Sequence, residues 1–159
     1  MLTLQRLSPD DWRLWRIVRL QALEDAQYAF ATSLSAWQGE GDQESRWRKR
    51  LEDVPFNVVA AVDGRPVGQV SGTELDDRLS IELISLWVAP ISRGCGIGEA
   101  LIDAVAGWAE EISARGVSLA VKDGNSHAIA LYERTGFVAR RIRADTPADR
   151  TMTRLLVPT

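Results

Sequence analysis

The sequence predicts a mixed α/β protein, in which strands and helices alternate along a chain of 159 residues. Apolar, β-branched and aromatic residues from Ile81 to Ala89 indicate a buried strand, which Pro90 ends because proline cannot donate to a strand ladder. A glycine-rich turn follows from Arg93 to Gly98. Apolar residues then recur at helical spacing: Leu101, Val105, Trp108 and Ile112. Gly116 is the expected C-terminal stop of that helix.

The other elements follow from local signals along the chain. Ser8-Pro9 predicts a helix start, Asp63-Gly64 a hairpin turn and Asp76-Asp77 a further turn, while Asn125 is a suitable helix cap. The remaining predicted strands are 1–7, 56–62, 66–75, 117–121, 137–143 and 151–157, and the remaining helices are 9–24, 43–51 and 128–134. The segment 26–37 favours neither structure. The predicted order is therefore β-α-α-β-β-β-α-β-α-β-β.

The composition is that of a globular protein, with 45% hydrophobic and 26% charged residues. The net charge of −3 gives no reason to expect a nucleic-acid partner. No apolar run reaches the ~20 residues of a membrane helix, and the N-terminus lacks a signal-peptide pattern. The single Cys95 fits a reducing compartment, and one histidine with one cysteine cannot build a usual zinc site. We therefore expect one cytoplasmic domain, 1–159, without metal, membrane or nucleic acid.

The turn between the central strand and the long helix is typical of an anion site. The first turn of a helix carries N–H groups without partners, and the helix dipole is positive there. Gly94, Gly96 and Gly98 have no Cβ, so a phosphate can approach the main chain closely. Arg93 could add positive charge. The alternative is an ordinary turn between a strand and a helix.

Three phosphate-binding patterns can be compared with this turn. A P-loop requires Lys and Ser/Thr after the last glycine, and neither follows Gly98. The dinucleotide fingerprint requires a third glycine where Glu99 stands. The segment Arg93-Gly94-Cys95-Gly96-Ile97-Gly98 fits a third pattern, Arg/Gln-x-x-Gly-x-Gly/Ala, and resembles motif A of the GNAT superfamily of acetyl-CoA-dependent N-acyltransferases.

Two further segments support this resemblance. Asn125-x-x-Ala128-x-x-Leu131-Tyr132-x-x-x-Gly136-Phe137 looks like motif B of the same family, and residues 19–23 with Ala29-Phe30 are similar to many bacterial members. The resemblance covers nearly the whole chain, because the order of elements also agrees. It implies an α/β (α+β) fold, a central mixed, mostly antiparallel sheet of about seven strands flanked by about four helices.

The resemblance also implies a reaction and its participants. Acetyl-CoA would be the cosubstrate, and the acetyl group would pass to a primary amine by direct attack in a ternary complex. The acceptor could be a small amine, an antibiotic, or a peptide or protein amine, and a homodimer is possible. A non-catalytic acyl-CoA sensor with this fold is one alternative. A nucleotide-binding protein of another class with the same glycine loop is a second.

By resemblance, particular residues take particular roles. The main chain of Leu86, Trp87 and Val88 would pair with the pantetheine arm, and Asn125 would contact the cofactor. Tyr132 would lie near the sulfur as general acid, and Glu82 or a water would be the base. The residues expected to hold the pyrophosphate are Arg93, Gly94, Cys95, Gly96, Ile97 and Gly98.

Alternatives remain open at several of these positions. Tyr132 could be a packed helix tyrosine, Glu82 a solvent-facing strand residue, and a β-bulge could bring Ser85 into the cleft. Cys95 is expected to be a small packing residue rather than a nucleophile. Most of Trp12, Trp15, Trp37 and Trp47 are expected in the core, with one or two lining the acceptor pocket as the alternative. The basic residues Arg46, Arg48, Lys49 and Arg50 are expected to form a solvated helix face, and Glu40, Asp42 and Glu44 could attract a cationic amine.

Overall fold

The computed structural model describes residues 1–26, 33–75, 79–139 and 149–156. These residues include seven strands: β1 Leu2–Arg6, β2 Phe56–Val62, β3 Arg65–Glu74, β4 Ser80–Val88, β5 Gly116–Lys122, β6 Val138–Ala139 and β7 Asp149–Leu155. They form one sheet in the order β1-β2-β3-β4-β5-β7-β6. β4 and β5 run parallel, and every other neighbouring pair is antiparallel. The predicted mixed, mostly antiparallel sheet is therefore confirmed.

Four α-helices accompany the sheet within the described residues: α1 Trp12–Asp25, α2 Glu44–Asp53, α3 Ile97–Glu111 and α4 Ser126–Arg134. Short 3-10 turns occupy Pro9–Asp11, Leu34–Trp37, Gly39–Gly41 and Pro90–Ser92. The predicted start at Ser8 is present as a capping box with Asp11, ahead of the 3-10 turn that leads into α1. Asn125 caps α4, because its side-chain oxygen accepts a hydrogen bond from Ala128 N at 3.3 Å. The predicted order of elements is confirmed. None of the described helices is long and apolar enough to cross a membrane.

The helices cover both faces of the sheet. Phe56, Val58 and Ala60 of β2 belong to one apolar cluster, whereas Val59 belongs to another. Neighbouring strand residues point to opposite faces, so the two clusters lie on opposite sides of the sheet. α3 and α4 pack into the first cluster, where Trp108 stacks on Phe56 with a centroid separation of 4.9 Å. α1 and α2 pack into the second cluster.

Asp42 connects the two helices on the second face. Its carboxylate accepts hydrogen bonds from the Arg16 guanidinium of α1 and, at 2.8 Å, from Trp47 Nε1 of α2. These two donors, Arg16 first, lower the pKa of Asp42 to about 2. Glu44 forms an ion pair with Arg48, one turn further along α2. Both carboxylates are therefore already bound to side chains of this protein, which argues against the hypothesis that they attract an amine substrate.

Several predicted boundaries differ from those observed. α3 ends at Glu111 and the chain turns at Ser113, which has a positive φ of 62°. Gly116 was predicted to end this helix, but it is the first residue of β5. A Cβ at Gly116 would lie 3.0 Å from the carbonyl oxygen of Arg154, so glycine permits close strand pairing there. The predicted turn at Asp76-Asp77 and most of the predicted strand 137–143 lie outside the described residues.

Candidate active site

The sheet opens between β4 and β5. Their parallel pairing runs from Ser80 opposite Gly116 only as far as Glu82 opposite Ser118. β4 continues to Val88 alongside β3, and β5 continues to Lys122 alongside β7. Among the described residues, no pairing joins the two strands beyond Glu82. A wedge therefore separates the later residues of β4 from those of β5, with main-chain groups of β4 along one side.

A β-bulge lies in β4 at this wedge. Gln69 of β3 is opposite Trp87, and Ser71 is opposite Ile84, so the single residue between them in β3 faces two residues of β4. Ser85 has a positive φ of 61°, which is rare outside glycine. Gln69 Nε2 donates a hydrogen bond to the carbonyl oxygen of Ser85 at 3.0 Å. The β-bulge that the sequence left as an alternative is therefore present, and the buried side-chain amide of Gln69 stabilises it.

The glycine turn lies at the start of α3. Gly96 precedes the first helical residue and has a φ of 82°, a left-handed conformation that favours glycine. Gly98 lies in the first turn of the helix, and a Cβ there would lie 2.9 Å from Leu131 Cδ2 of α4. One glycine therefore sets the entry to α3, and another permits α3 and α4 to approach closely. The first backbone N–H groups of α3, which have no acceptor within the helix, therefore lie next to the glycine turn.

Asp25, at the end of α1, connects β4 to the glycine turn. Its Oδ2 accepts hydrogen bonds from Trp87 Nε1 at 2.9 Å and from Arg93 Nη2 at 2.7 Å. Arg93 Nε also donates to the carbonyl oxygen of Val88 at 3.0 Å. The guanidinium of Arg93 therefore fixes the turn against β4 and α1.

One cleft of about 860 Å³ joins the wedge, the glycine turn and α4. The predicted site residues that line it are Glu82, Leu86, Trp87, Val88, Arg93, Gly94, Gly96, Ile97, Gly98, Asn125 and Tyr132. Ser85 lines it as well. Cys95 is not among the described residues that line the cleft. Its side chain is exposed, and Sγ lies 3.8 Å from the carbonyl oxygen of Arg93.

The two predicted acid–base residues lie in different surroundings. Tyr132 of α4 is only 7% exposed and meets the Phe137 ring edge-on at a centroid separation of 5.7 Å. Burial raises the pKa of the Tyr132 phenol, so the hydroxyl keeps its proton throughout the neutral range. Glu82 is half-buried and lies at the point where the wedge begins, opposite Ser118.

A cluster of buried polar residues lies on the face covered by α1 and α2, and it was not predicted from the sequence. Asn57, Gln69 and Ser71 are each at most 1% exposed. Arg50 of α2 donates to Asn57 Oδ1 at 3.0 Å and to Ser71 Oγ at 3.2 Å. The prediction that Arg50 belongs to a solvated face is therefore wrong. It lies three residues after the fully buried Trp47, on the same helix face, and this spacing was the available signal.

The tryptophans of the first half of the chain pack mainly in the core. Trp15 and Trp47 are fully buried between the helices and the sheet, as predicted. Trp37 lies in a 3-10 turn and packs on Trp47 with a centroid separation of 4.4 Å. Neither these residues nor Trp12 is among the described residues that line the cleft, whereas Trp87 is.

Comparisons with known proteins agree with this geometry. The model of the acetyltransferase (GNAT) family matches residues 17–137. An uncharacterized N-acetyltransferase of Methanocaldococcus jannaschii is 36% identical over 99 residues, which are 59% of this chain and 43% of that protein. This chain therefore matches less than half of the length of that relative.

Solved structures share the fold over nearly the whole chain. The PaiA N-acetyltransferase of Thermoplasma acidophilum, solved in complex with coenzyme A, has a TM-score of 0.77 at 16% identity, covering 98% of this chain and 99% of that one. A GNAT-family acetyltransferase of Streptococcus pneumoniae has a TM-score of 0.74 at 20% identity, covering 98% and 100%.

These matches define the class of protein. The chain belongs to the acetyltransferase (GNAT) family, since the family model covers most of its length. The resemblance stated from motifs A and B is confirmed, and so is the expected enzyme class at the level of the family.

The hydrogen bond that holds the bulge can be tested with Gln69→Leu, which keeps the volume of the side chain but removes its amide. The carbonyl of Ser85 loses its donor, and we expect the free energy of unfolding to fall. Because Gln69 Oε1 has no hydrogen-bond partner among the described residues, the substitution also removes an unsatisfied buried acceptor. We therefore expect a loss near the lower end of the usual range, about 1 kcal/mol, measured by urea unfolding.

Gln43→Leu is the matched control, since Gln43 is exposed and, among the described residues, its amide donates only to a surface carbonyl, Glu40 O. An unfolding free energy unchanged by Gln69→Leu would show that the bulge does not depend on this side chain.

Proposed function

We propose that the protein transfers the acetyl group of acetyl-CoA to a primary amine. The observation that carries this proposal is that the open edge of β4, its bulge and the glycine turn at the start of α3 lie together in one cleft. The coenzyme A complex of the structural relative from Thermoplasma acidophilum supports the use of acetyl-CoA.

The cofactor would follow the cleft from the turn to the wedge. The pyrophosphate would bind at residues 93–98, where main-chain N–H groups and the dipole of α3 favour an anion. The pantetheine arm would pair with the main chain of β4 at residues 86–88, which β5 does not pair with. Asn125 would contact this arm through its amide nitrogen, since its side-chain oxygen caps α4. The thioester would then lie beside the bulge.

The reaction would proceed by direct attack of the amine on the thioester carbonyl. The unprotonated amine forms the new C–N bond and gives a tetrahedral intermediate. This intermediate collapses by breaking the C–S bond, so that coenzyme A leaves as the thiolate and the nitrogen loses its extra proton to water. An alkylammonium with a pKa of about 10.4 costs roughly 4.6 kcal/mol to deprotonate at pH 7. Glu82, at the closed end of the wedge, would accept the ammonium proton directly or through water. The Cys95 thiol takes no part in the transfer of the acetyl group, because this side chain is not among the described residues that line the cleft.

Tyr132 would act on the departing sulfur. The raised pKa of its phenol keeps the proton in place, so the hydroxyl can donate a hydrogen bond as negative charge develops. A thiol pKa of about 8.5 lies below that of the phenol, so complete proton transfer to the thiolate is uphill. Stabilisation of the thiolate by this hydrogen bond is therefore the larger part of the proposed role.

The activity is tested by following thiol release from acetyl-CoA with a panel of primary amines. We expect amine-dependent release together with formation of the N-acetyl product, identified by mass spectrometry. Tight binding of acetyl-CoA with no release for any amine would instead favour the non-catalytic sensor. Stabilisation by ATP or NAD but not by acetyl-CoA, in a thermal-shift comparison, would contradict the proposal altogether.

The base is tested with Glu82→Gln. We expect turnover to fall about 10²-fold near pH 7. It should recover as the pH approaches the pKa of the free amine, because the amine then loses its proton without the carboxylate. The measurement is the pH dependence of kcat/KM. Glu74→Gln is the control, since Glu74 is an exposed carboxylate on the neighbouring strand. A profile for Glu82→Gln that runs parallel to wild type would remove Glu82 from the mechanism.

The role of Tyr132 is tested with Tyr132→Phe, which deletes the hydroxyl and keeps the ring packed against Phe137. We expect kcat to fall about 10²-fold, the low end for such a group, because thiolate leaves fairly well unaided. Affinity for acetyl-CoA should remain near wild type, since the hydroxyl acts mainly on the charge of the transition state. Steady-state kinetics and calorimetry separate these effects. Unchanged turnover would show that Tyr132 only packs, and lost affinity would show that it binds cofactor.

A further inference from the structure

Arg50 presents a positive charge to the cleft from the face that α1 and α2 cover. Its guanidinium lies over the Trp15 ring, 5.0 Å from the ring centroid. It donates to Asn57 Oδ1 at 3.0 Å, Ser71 Oγ at 3.2 Å and Ser85 Oγ at 3.4 Å. All three acceptors are neutral oxygens, so the position of the group is fixed while its charge is not neutralised by them.

The guanidinium retains capacity to bind a ligand. It has five N–H bonds in a planar fork, and three are directed to these oxygens. The other two have no acceptor among the described residues. The basic neighbours on α2 differ, because Arg48 pairs with Asp10 and Glu44, and Lys49 pairs with Asp53.

A second cation, Arg19 of α1, lines the same cleft and is only 8% exposed. Burial lowers the pKa of Arg50 to about 10, although Asp53 offsets part of this effect. Burial, and then the charge of Arg50, lowers the pKa of Arg19 to about 10. Both groups stay charged at neutral pH. Holding two like charges in a partly desolvated cleft is costly, and an anion bound there would relieve this cost.

We propose that the acceptor amine carries a carboxylate, which Arg50 binds with its remaining N–H groups and which the charge of Arg19 also attracts. A guanidinium fork matches the two oxygens of a carboxylate and forms short, charge-assisted hydrogen bonds with it. This inference rests on the proposed acetyl transfer, since it identifies the class of acceptor for that reaction.

The place of Arg50 limits the length of the acceptor. Arg50 contacts Ser85, which is the bulged residue next to Leu86, where the thioester is proposed to lie. Glu82 lies three residues earlier on β4, roughly 10 Å along an extended strand. An amine between Glu82 and the thioester is therefore only a few bonds from a carboxylate at Arg50. Small amino acids, in which the two groups are close together, fit this spacing.

A purely structural role for Arg50 makes a different prediction. The side chain joins α2 to β2, β3 and β4, so its loss could disturb the cleft as a whole. Such a disturbance would lower turnover with every acceptor alike. A carboxylate-binding role instead changes the ratio between acceptors that have and lack the carboxylate. This ratio is therefore the quantity to measure.

The test compares small amino acids with their amides, such as L-alanine with L-alaninamide, and then with 5-aminopentanoate, in which the two groups are far apart. Values of kcat/KM are expressed per unprotonated amine, because the amide lowers the pKa of the neighbouring amine. For wild type we expect the acid to exceed the amide about 10- to 100-fold, as for a charge-assisted pair, and the long spacer to lose most of this gain. Equal values for acid and amide would overturn the inference.

Arg50→Gln should remove most of the preference, leaving at most the weaker attraction of Arg19, and Arg50→Lys should restore part of it, because it keeps the charge but not the fork. Arg48→Gln is the matched control, since it removes a cation of α2 that does not line the cleft. A preference for the acid that survives Arg50→Gln undiminished would contradict the proposed role. Thermal unfolding checks that each variant is folded. If Arg50→Gln does not fold, the ratio of acid to amide in wild type and in Arg50→Lys decides whether Arg50 binds the carboxylate.

Failure of acetyl transfer itself is distinguished by a binding measurement. If wild type releases no thiol with any amine, the acid and the amide are titrated by calorimetry into protein saturated with coenzyme A. Tighter binding of the acid, lost in Arg50→Gln, would support the carboxylate site although the proposed activity had failed. Equal or absent binding of both compounds would overturn the inference.

Discussion

The interruption of hydrogen bonding between β4 and β5 is the constraint on which the rest of the site depends. Two parallel strands would normally stay paired along their shared length, but this pairing ends at Glu82 and Ser118. β5 still pairs with β7, and β4 with β3, so both strands remain part of the sheet although the wedge separates them. The bulge at Ser85 keeps β4 paired to β3 while altering which of its side chains face each side. The result is unpaired strand backbone inside a folded protein, beside a helix N-terminus.

Polar side chains supply the hydrogen bonds that the main chain and side chain of the bulge need where α1 and α2 cover it. The fully buried Gln69 supplies the hydrogen bond that the carbonyl of Ser85 would otherwise lack, and Arg50 reaches the hydroxyl of the same residue from α2. Asp25 connects α1 to β4 and to Arg93 of the glycine turn. The bulge, the turn and the two N-terminal helices are therefore mechanically connected. Substitutions of Asp25 in α1 or of Arg50 in α2 should therefore alter the cleft.

The extent to which the sequence predicts this structure varies with the range of the interactions. The glycine turn was predictable because its signals are local: a strand, a proline, alternating glycines and an apolar helix occur within one stretch. Hairpin and cap residues such as Asp63-Gly64 and Asn125 were predictable for the same reason. The bulge at Ser85 stayed an open alternative in the sequence, because a serine with positive φ has no sequence signature and depends on Gln69 of another strand. Arg50 was assigned to solvent because its partners lie on three different strands, and Gly116 was misplaced because its constraint comes from Arg154.

The central claim is that the cofactor occupies the wedge and the glycine turn together, and amide hydrogen–deuterium exchange with and without acetyl-CoA tests it most directly. Binding should slow exchange at two separated segments, residues 86–88 on the open edge of β4 and residues 94–98 at the start of α3. The central strands β2 and β3 should show little change, because their amides are already paired. Protection of both segments is the predicted result. Binding of acetyl-CoA that leaves the exchange of residues 86–88 unchanged would contradict the proposed position of the cofactor arm.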